Sequence, residues 1–305
     1  MTKNTFFIGI DSGGTKCELL ITDAKNNIIH KISYKAFHYS VHGKEKVSCH
    51  LKDIITNSIK EKKLNLRNCR GICIGLAGVR EAEVKNELQK HLIKLLGYKN
   101  ILIESDSIIA LHGAFKGKDG LILICGTGSI LIGIINKKYF RIGGWGRIIG
   151  DYGSGYDIGR FAIKHLVSEY DKGKKTSKLS QAVEKKFSIN KLNILKHVYQ
   201  NNFDLQNLVP LVLEYAKKKD KDAQRIIDYA IDELIYHFKI FFSVTGYRKK
   251  INVAFSGSIL ENDNILSDKI KTRIKRNFHN INLVNKIHTP AEGAILLSKN
   301  KFEKN

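Results

Sequence analysis

Apolar runs separated by glycine turns dominate the start of the chain. From Thr5, TFFIGI predicts a buried strand, DSGGT a tight turn and KCELLIT a second strand, and IIHKISY after the AKNN turn predicts a third. Helical periodicity over about 44–62 is followed by a strand, RGICIG, and by a helix over 81–96. A further strand, NILIE, leads into Ser105 and Asp106. The predicted order is that of a βββαβα unit.

A second cycle of the same pattern opens at Leu121. LILIC, the turn GTGS, ILIGII, the turn NKK and YFRI repeat the order of strand, glycine turn, strand and strand. We interpret this repetition as an internal duplication of architecture. A helical insert is predicted over about 154–244, followed by the strand INVAF, the turn SGS and alternating helix and short strand. Both halves are therefore predicted to be α/β sheets with a glycine turn at the first hairpin.

Length and composition favour two domains. A chain of 305 residues with 43% hydrophobic content can bury one large core or two modest ones, and typical domain sizes favour two. No apolar stretch reaches the length of about 18 to 20 residues that a membrane span needs, and the first residues run directly into a strand. We therefore expect a cytoplasmic protein.

The cysteine pattern predicts packed, reduced thiols. Four of the five cysteines lie in or beside apolar, strand-like runs, and their number is odd. Cys69 and Cys73 have a spacing that metal ligands can adopt, but no second pair accompanies them. A metal site is not expected there.

The formal net charge of +23 and the pI near 9.7 make nucleic acid a class of partner to consider. The lysines, however, are scattered. The densest runs, at 171–178 and 217–221, contain acids or glycine and lack interleaved aromatic residues. We expect solvated helix ends and loops there and no nucleic-acid surface.

Three glycine turns each follow a predicted buried strand, at residues 11–16 (DSGGTK), 126–129 (GTGS) and 256–258 (SGS). Glycine lets the backbone approach a ligand closely, so that N–H groups can cradle phosphate oxygens. One such turn alone is weak evidence, but their placement after matched strands in two halves favours a phosphate site. Neither GxxxxGK[ST] nor a GxGxxG after a strand is present, so the P-loop and Rossmann sites are disfavoured.

Asp11 stands at the end of the first predicted strand, directly before two glycines. A carboxylate there suits Mg²⁺ bound through water, because magnesium keeps several waters beside phosphates. The alternative is an aspartate that caps its own turn.

These motifs resemble a known group of proteins. The first turn is similar to the first phosphate motif of the sugar kinase, heat-shock ATPase and actin superfamily, and the GTGS turn is similar to the second. The segment GGWGRIIGDYGSGYDIG at 143–159 resembles GGWGxxxGDEGS of N-acetylglucosamine kinases and the related BadF/BadG/BcrA/BcrD ATPase family. GLAG at 75–78 and ESDS at 104–107 extend the resemblance over most of the chain, and only the insert at about 171–247 stays unmatched.

The resemblance implies a fold and an activity. The fold is a two-lobed actin-like ATPase, with duplicated ribonuclease H-like βββαβα units and an active-site cleft between the lobes. The lobes would span 1–115 and 116–305, and a C-terminal helix at about 290–305 would return to the first. The implied activity is ATP-dependent phosphorylation of an amino sugar, with Mg²⁺ as cofactor. N-acetylglucosamine, phosphorylated at the 6-position, is the first candidate, followed by N-acetylmuramic acid and glucosamine, and a homodimer is expected.

The resemblance also implies residue roles. Asp106 matches the general base that accepts the sugar hydroxyl proton, and the alternative is that it caps the following helix. Trp145 could offer an apolar face to the sugar or be a core anchor, and Asp151 could bind sugar hydroxyls or cap the helix that begins near Ser154. The implied phosphate and metal residues are Asp11, Gly13, Gly14, Thr15, Lys16, Gly126, Thr127, Gly128 and Ser129. The implied nucleoside residues are Gly257 and Ser258. The implied sugar residues are Gly78, Asp106, Thr127, Gly144, Trp145 and Asp151.

The chain departs from this family at some positions. The segment after the third strand reads AFHYSVHG where members often have a sugar-contacting asparagine. Tyr152 replaces the acidic residue that is usual after the aspartate, and Ala77 stands where some members have serine. Two alternatives share the fold: a BadF-type ATPase that activates a partner reductase, and a ROK-type kinase or repressor. The absence of an evident exposed cysteine pair disfavours the first, and the absence of a cysteine-rich zinc motif disfavours the second. A sugar sensor without activity is a further alternative.

Overall fold

The computed structural model describes residues 5–13, 16–35, 37, 39–173 and 176–303. Gly14, Thr15 and His38 lie outside the described residues. The chain forms two compact units. Unit 1 comprises residues 1–120, 134–137 and 285–305, and unit 2 comprises residues 121–133 and 138–284.

The first sheet has five strands in the order β3-β2-β1-β4-β5. β1 pairs antiparallel with β2 and β2 antiparallel with β3, whereas β4 pairs parallel with both β1 and β5. Phe6, Ile8 and Ile10 on β1 belong to the main core of unit 1, and Phe7 is buried on the opposite face. A strand buried on both faces requires the continuous apolar run that the sequence shows. The strands are β1 (Phe6–Ser12), β2 (Lys16–Asp23), β3 (Ile28–Lys35), β4 (Cys69–Leu76) and β5 (Ile101–Ser105).

Three helices follow these strands: α1 (Tyr39–Glu61), α2 (Ala82–Leu96) and α3 (Asp106–Phe115). α1 begins before the helix predicted at 44–62, but Gly43, with φ 75° and ψ 174°, breaks it near its start. The regular part of α1 therefore begins after Gly43, where the helix was predicted to start.

The second sheet has the order β10-β9-β6-β7-β8, in which β9 is parallel to β6 and to β10. In both sheets the third, second, first, fourth and fifth strands of the sequence lie side by side in that order, which confirms the predicted duplication and α/β fold class. The strands are β6 (Gly120–Cys125), β7 (Ser129–Ile135), β8 (Lys138–Gly143), β9 (Ile251–Ser256) and β10 (Ile281–Leu283).

The predicted helical insert resolves into several helices. Ser154, Ser177 and Asp220 each cap a helix through a side-chain oxygen that accepts a backbone N–H. Short 3₁₀ turns lie at Leu66–Asn68 and Leu205–Leu208, and a π turn at Lys196–Gln200. The helices of this half are α4 (Gly155–Asp171), α5 (Lys178–Phe187), α6 (Val209–Lys217), α7 (Lys221–Thr245), α8 (Ser258–Glu261) and α9 (Ile265–Asn277).

The last helix, α10 (Pro290–Phe302), belongs to unit 1. It begins with a capping box in which Thr289 and Glu292 bond each other's backbone N–H groups. Ala291 and Ile295 on α10 form a buried cluster with Phe7 and Leu20. α10 thus covers the face of the first sheet opposite α1 and α2. Within the described residues, every helix is too short or too polar to span a bilayer.

Candidate functional site

The candidate polar residues of unit 1 lie at the carboxyl ends of the neighbouring parallel strands β1, β4 and β5. Asp11 on β1 is in register with Gly75 on β4, and Gly75 is in register with Glu104 on β5. Asp106 follows β5 as the first residue of α3. Asp11 and Asp106, far apart in sequence, therefore lie at the same edge of the sheet.

Asp106 is not the cap of its helix. The N-cap is Ser105, whose Oγ accepts a hydrogen bond from the backbone N–H of Ile108 at 3.3 Å. Asp106 Oδ1 accepts from the backbone N–H of Ser107 at 2.8 Å. The capping alternative for Asp106 is thus wrong, and this carboxylate stands in the first turn of the helix, where the helix dipole favours an acidic side chain.

Asp11 occupies a strongly negative environment. Burial raises the pKa of its carboxyl to about 7, and the nearby charges of Asp106 and Glu18 contribute to the rise. Lys16 and Lys286 oppose this effect only in part. The hydrogen bond that closes the turn runs from Gly13 N to Lys16 O at 3.1 Å. A buried carboxyl that resists ionisation beside other carboxylates fits a site for a divalent cation, which would favour its charged form.

Glu18 is a residue that the sequence pattern did not single out. It faces Asp11 directly across the β1–β2 hairpin and is 7% exposed. Lys16 and Lys31 lie 3.6 and 3.4 Å from its carboxylate oxygens. The sequence signal for Glu18 was a glutamate within the apolar strand KCELLIT. The ion pair between Glu18 and Lys16 holds the Lys16 side chain beside the turn.

In unit 2, the turn between β6 and β7 is bonded to the start of α4. Gly126 N donates to Gly128 O at 3.0 Å, and Gly155 N donates to Gly126 O at 2.8 Å. Tyr156 N donates to the carbonyl of Thr127 at 3.3 Å, while Thr127 itself is exposed. The turn is therefore rigidly held, with its threonine available to a ligand.

Asp151 lies against this turn. A Cβ placed on Gly128 would come within 2.7 Å of Asp151 Oδ2, so only glycine fits without displacing the carboxylate. Gly146 N donates to Asp151 Oδ1 at 3.3 Å, and Asp151 adopts a left-handed backbone with φ 54°. Because Ser154 is the N-cap of α4, the capping alternative for Asp151 is wrong.

Trp145 is 63% exposed, so it is not the core anchor that was the alternative to a ligand-facing role. The Arg141 guanidinium lies 4.9 Å from the centre of its ring and also donates a hydrogen bond to the carbonyl of Gly144. Gly144, with φ 69°, packs closely on Ile130. We call residues 143–153, which connect β8 to α4, the tryptophan loop.

The third glycine turn adjoins the second. Gly257 directly follows β9 and has φ 91°, and a side chain there would collide with the carbonyl of Cys125 at the end of β6. Ser258 Oγ lies 3.6 Å from the position that a Cβ on Gly126 would take. The parallel pairing of β6 and β9 thus brings Gly257 and Ser258 beside the turn at 126–129.

Gly78 lies at the sheet edge that carries Asp11, because the residue before it donates its backbone N–H to Ser12 O at 2.9 Å. Gly78 follows β4 with φ 80° and is exposed. Cys69 and Cys73 are buried, free thiols, whereas Cys49 is exposed. His42 stacks on Phe37 with ring centres 3.9 Å apart. Among the described residues, no group of three histidine, cysteine or acidic side chains is arranged to hold a metal ion.

Comparison with known proteins identifies the family. Residues 8–298 match the BadF/BadG/BcrA/BcrD ATPase family, and the chain belongs to it. The N-acetyl-D-glucosamine kinase of Dictyostelium discoideum is 30% identical over 312 residues, which cover 96% of this chain and 98% of that protein. The N-acetylmuramic acid/N-acetylglucosamine kinase of Clostridium acetobutylicum is 29% identical over 305 residues, covering 98% and 99%.

A solved structure shares the whole fold. The putative N-acetylglucosamine kinase of Chromobacterium violaceum superposes with a TM-score of 0.79 at 23% identity, over 97% of this chain and 99% of that one. The fold is accordingly that of the actin-like ATPase sugar kinases, as the sequence motifs predicted.

Proposed function

We propose that this member of the BadF/BadG/BcrA/BcrD ATPase family transfers the γ-phosphate of ATP to a hydroxyl of an amino sugar. N-acetylglucosamine, phosphorylated at the 6-hydroxyl, is the first candidate acceptor, and N-acetylmuramic acid and glucosamine are the next. Relatives that carry kinase names of this kind match the chain over nearly its full length. Because ATP is the phosphate donor, we place the reaction in the cytoplasm.

The observation that carries the proposal is the contact between Asp151 and Gly128. It brings a carboxylate of the tryptophan loop to the glycine turn that we assign to phosphate binding. A hydroxyl-binding group and a phosphate-binding turn must be neighbours in an enzyme that joins a sugar hydroxyl to phosphate. Gly146 N fixes the orientation of the same carboxylate.

Asp106 is the proposed general base. Its position at the end of β5 and in the first turn of α3 gives a carboxylate that can accept the proton of the attacking hydroxyl. Its Oδ1 is held by Ser107 N, which limits rotation of the side chain. A fixed base removes part of the orientational cost of the reaction.

Asp11 is the proposed metal-positioning residue. Mg²⁺ bound with ATP supplies the positive charge that stabilises the transferring phosphoryl group. Asp11 would hold it through water, and the raised pKa of this carboxyl supports a site that is complete only with a cation. We assign contacts with the phosphates to Gly13, Gly14, Thr15, Lys16, Gly126, Thr127, Gly128 and Ser129. We assign contacts with the nucleoside to Gly257 and Ser258.

The remaining assignments concern the sugar. Asp151 would accept hydrogen bonds from sugar hydroxyls, and the exposed ring of Trp145 would cover an apolar face of the sugar or its acetamide methyl. Gly78, Thr127 and Gly144 complete the proposed acceptor contacts. We further propose a homodimer, which light scattering on the purified protein tests.

The test of this function is ADP release from Mg·ATP in the presence of a panel of sugars. The panel contains N-acetylglucosamine, N-acetylmuramic acid, glucosamine, N-acetylmannosamine and glucose, with a tube lacking sugar. Stimulation by an amino sugar, together with a phosphorylated product seen by mass spectrometry, supports the kinase. Equal ADP release in every tube overturns it and favours an ATPase that acts on a protein partner.

A further inference from the structure

We infer that Arg147 forms a carboxylate-binding subsite in the tryptophan loop, so that the acceptor site takes N-acyl amino sugars that carry an acidic substituent. This inference rests on the proposed function and adds a substrate class to it. N-acetylmuramic acid has the required chemistry, because it is N-acetylglucosamine with a lactic acid joined through an ether at O3.

The position of Arg147 in the chain places it next to the acceptor contacts. Its preceding residue, Gly146, donates its N–H to Asp151 at 3.3 Å. Its following residue, Ile148, is 85% exposed. A cation and an exposed apolar side chain thus adjoin the proposed sugar-binding carboxylate, and a lactyl group offers a carboxylate and a methyl group to match them.

The guanidinium of Arg147 is oriented by an aromatic ring. It lies 5.4 Å from the centre of the Tyr156 ring. Tyr156 in turn donates its backbone N–H to Thr127 in the glycine turn. A guanidinium packed beside an aromatic ring still has N–H groups that can bind a carboxylate through two parallel hydrogen bonds.

The charge of Arg147 is not neutralised within the described part of the chain, where no carboxylate lies within ion-pair distance of it. Arg160, the next arginine along the chain, is by contrast bound to Asp157 at 2.6 Å. No acidic residue occurs in the sequence between Asp119 and Asp151. Arg141 and Arg147 are the basic residues of that stretch that lie close to or within the tryptophan loop, whereas Lys137 and Lys138 lie at the other end of β8. Arg147 therefore offers its positive charge to a negatively charged substituent.

The experiment compares substrates that differ only in the lactyl group. Steady-state kinetics are measured with N-acetylglucosamine, N-acetylmuramic acid and the lactyl methyl ester of N-acetylmuramic acid, for the wild type, Arg147→Gln and Arg147→Lys. Arg248→Gln, which removes an exposed arginine elsewhere in unit 2, is the matched control. ATP is titrated in parallel for every variant.

We expect Arg147→Gln to lower kcat/KM for N-acetylmuramic acid about 10- to 100-fold, through KM, because it removes a charge-assisted pair of hydrogen bonds. The kcat/KM of Arg147→Gln for N-acetylglucosamine and its KM for ATP should stay within about twofold of the wild-type values. The kcat/KM of Arg147→Lys for N-acetylmuramic acid should lie between those of the wild type and Arg147→Gln, because lysine keeps the positive charge but cannot form the two parallel hydrogen bonds of a guanidinium. The methyl ester should be a poor substrate for the wild type and should be insensitive to Arg147→Gln.

Three results would overturn the subsite. The first is an equal loss with both sugars, which would assign Arg147 to phosphate binding or to loop structure. The second is no loss with either sugar. The third is a wild type that phosphorylates N-acetylglucosamine but not N-acetylmuramic acid, which removes the inference and leaves the proposed function intact. A wild type that phosphorylates no amino sugar defeats the proposed function itself.

Discussion

Asp11, the proposed metal-positioning residue, occupies a position that costs stability. The pKa of its carboxyl is raised to about 7, above the value near 4 expected in the unfolded chain, so the folded state binds this proton more tightly. The contribution of protonated Asp11 to the free energy of unfolding is fully present below about pH 4. It is lost as the pH rises through about 7.

We therefore predict that Asp11→Asn is more stable than the metal-free wild type at pH 8, by about 4 kcal/mol, because asparagine cannot ionise. The difference should be small at pH 4 and grow between pH 4 and 7. Urea unfolding at several pH values measures it, and activity should be lost in the same variant. A stability difference that does not change with pH would show that Asp11 ionises in the folded protein as it does in the unfolded chain.

Replacing Asp106 by asparagine should remove the carboxylate without disturbing the local structure. In Asp106→Asn the amide oxygen can still accept from Ser107 N, and Ser105 still caps α3. We predict a fall in kcat of about 100-fold or more, because the general base is lost, with little change in ATP affinity or in melting temperature. Coupled ADP assays and calorimetric ATP titration check this. As a control, Asp119→Asn changes an exposed carboxylate that accepts from Asn136 N and should leave kcat unchanged.

Asp11 and Asp106 could be chosen as candidates from the sequence because each stands at the end of a predicted strand, which is visible as a local pattern. Asp151 was a candidate only through the resemblance of its segment to a family motif. Glu18 and Arg147 were not singled out. The surroundings of Glu18 depend on the register of the hairpin, and those of Arg147 depend on the path of the loop that brings it near Tyr156.

At the scale of elements, α10 and α3 pack backbone against backbone. A Cβ on Gly293 would collide with the carbonyl of Ile109, and a Cβ on Gly113 would collide with the carbonyl of Thr289. His288 N also donates to Gly113 O at 3.0 Å. Because α3 begins at Asp106, the close approach of α10 helps fix the helix that presents the proposed base.

We predict that Gly293→Ala lowers the free energy of unfolding by about 2–4 kcal/mol, because the added methyl group meets backbone atoms that cannot rotate away. Asn300→Ala, at an exposed position of the same helix, should be neutral or slightly stabilising. Denaturant unfolding of both variants gives the comparison. Equal stability of Gly293→Ala and the wild type would mean that the two helices can separate without cost.

The elements themselves were largely predictable, and their packing was not. Buried strands such as β1 and β6 are continuous apolar runs bounded by glycines, so their type and order followed from the sequence. The insert was predicted only as helical, because the Ser154, Ser177 and Asp220 caps that divide it are short polar signals. The break of α1 at Gly43 was missed, since one glycine inside a helical pattern is usually tolerated.

At the scale of the whole molecule, two sheets of one topology carry a large excess of positive charge. The formal net charge is +23, and ion pairs such as Lys269 with Asp228 and Arg273 with Asp232 neutralise only part of it. Like charges on a compact surface repel one another and destabilise the folded state. Salt shortens the range of this repulsion, from about 20 Å near 20 mM to about 6 Å near 300 mM.

We therefore predict that raising NaCl from about 20 to about 300 mM increases the melting temperature by about 2–5 °C. Replacing exposed Lys249 and Lys250 by glutamate should stabilise the protein at low salt, and this gain should vanish at 300 mM because the repulsion it relieves is already screened. KCl at the same ionic strength should act like NaCl, whereas a specific anion site would make sulfate far more effective. A melting temperature that falls with salt would mean that favourable ion pairs outweigh the net repulsion, despite the excess of lysine.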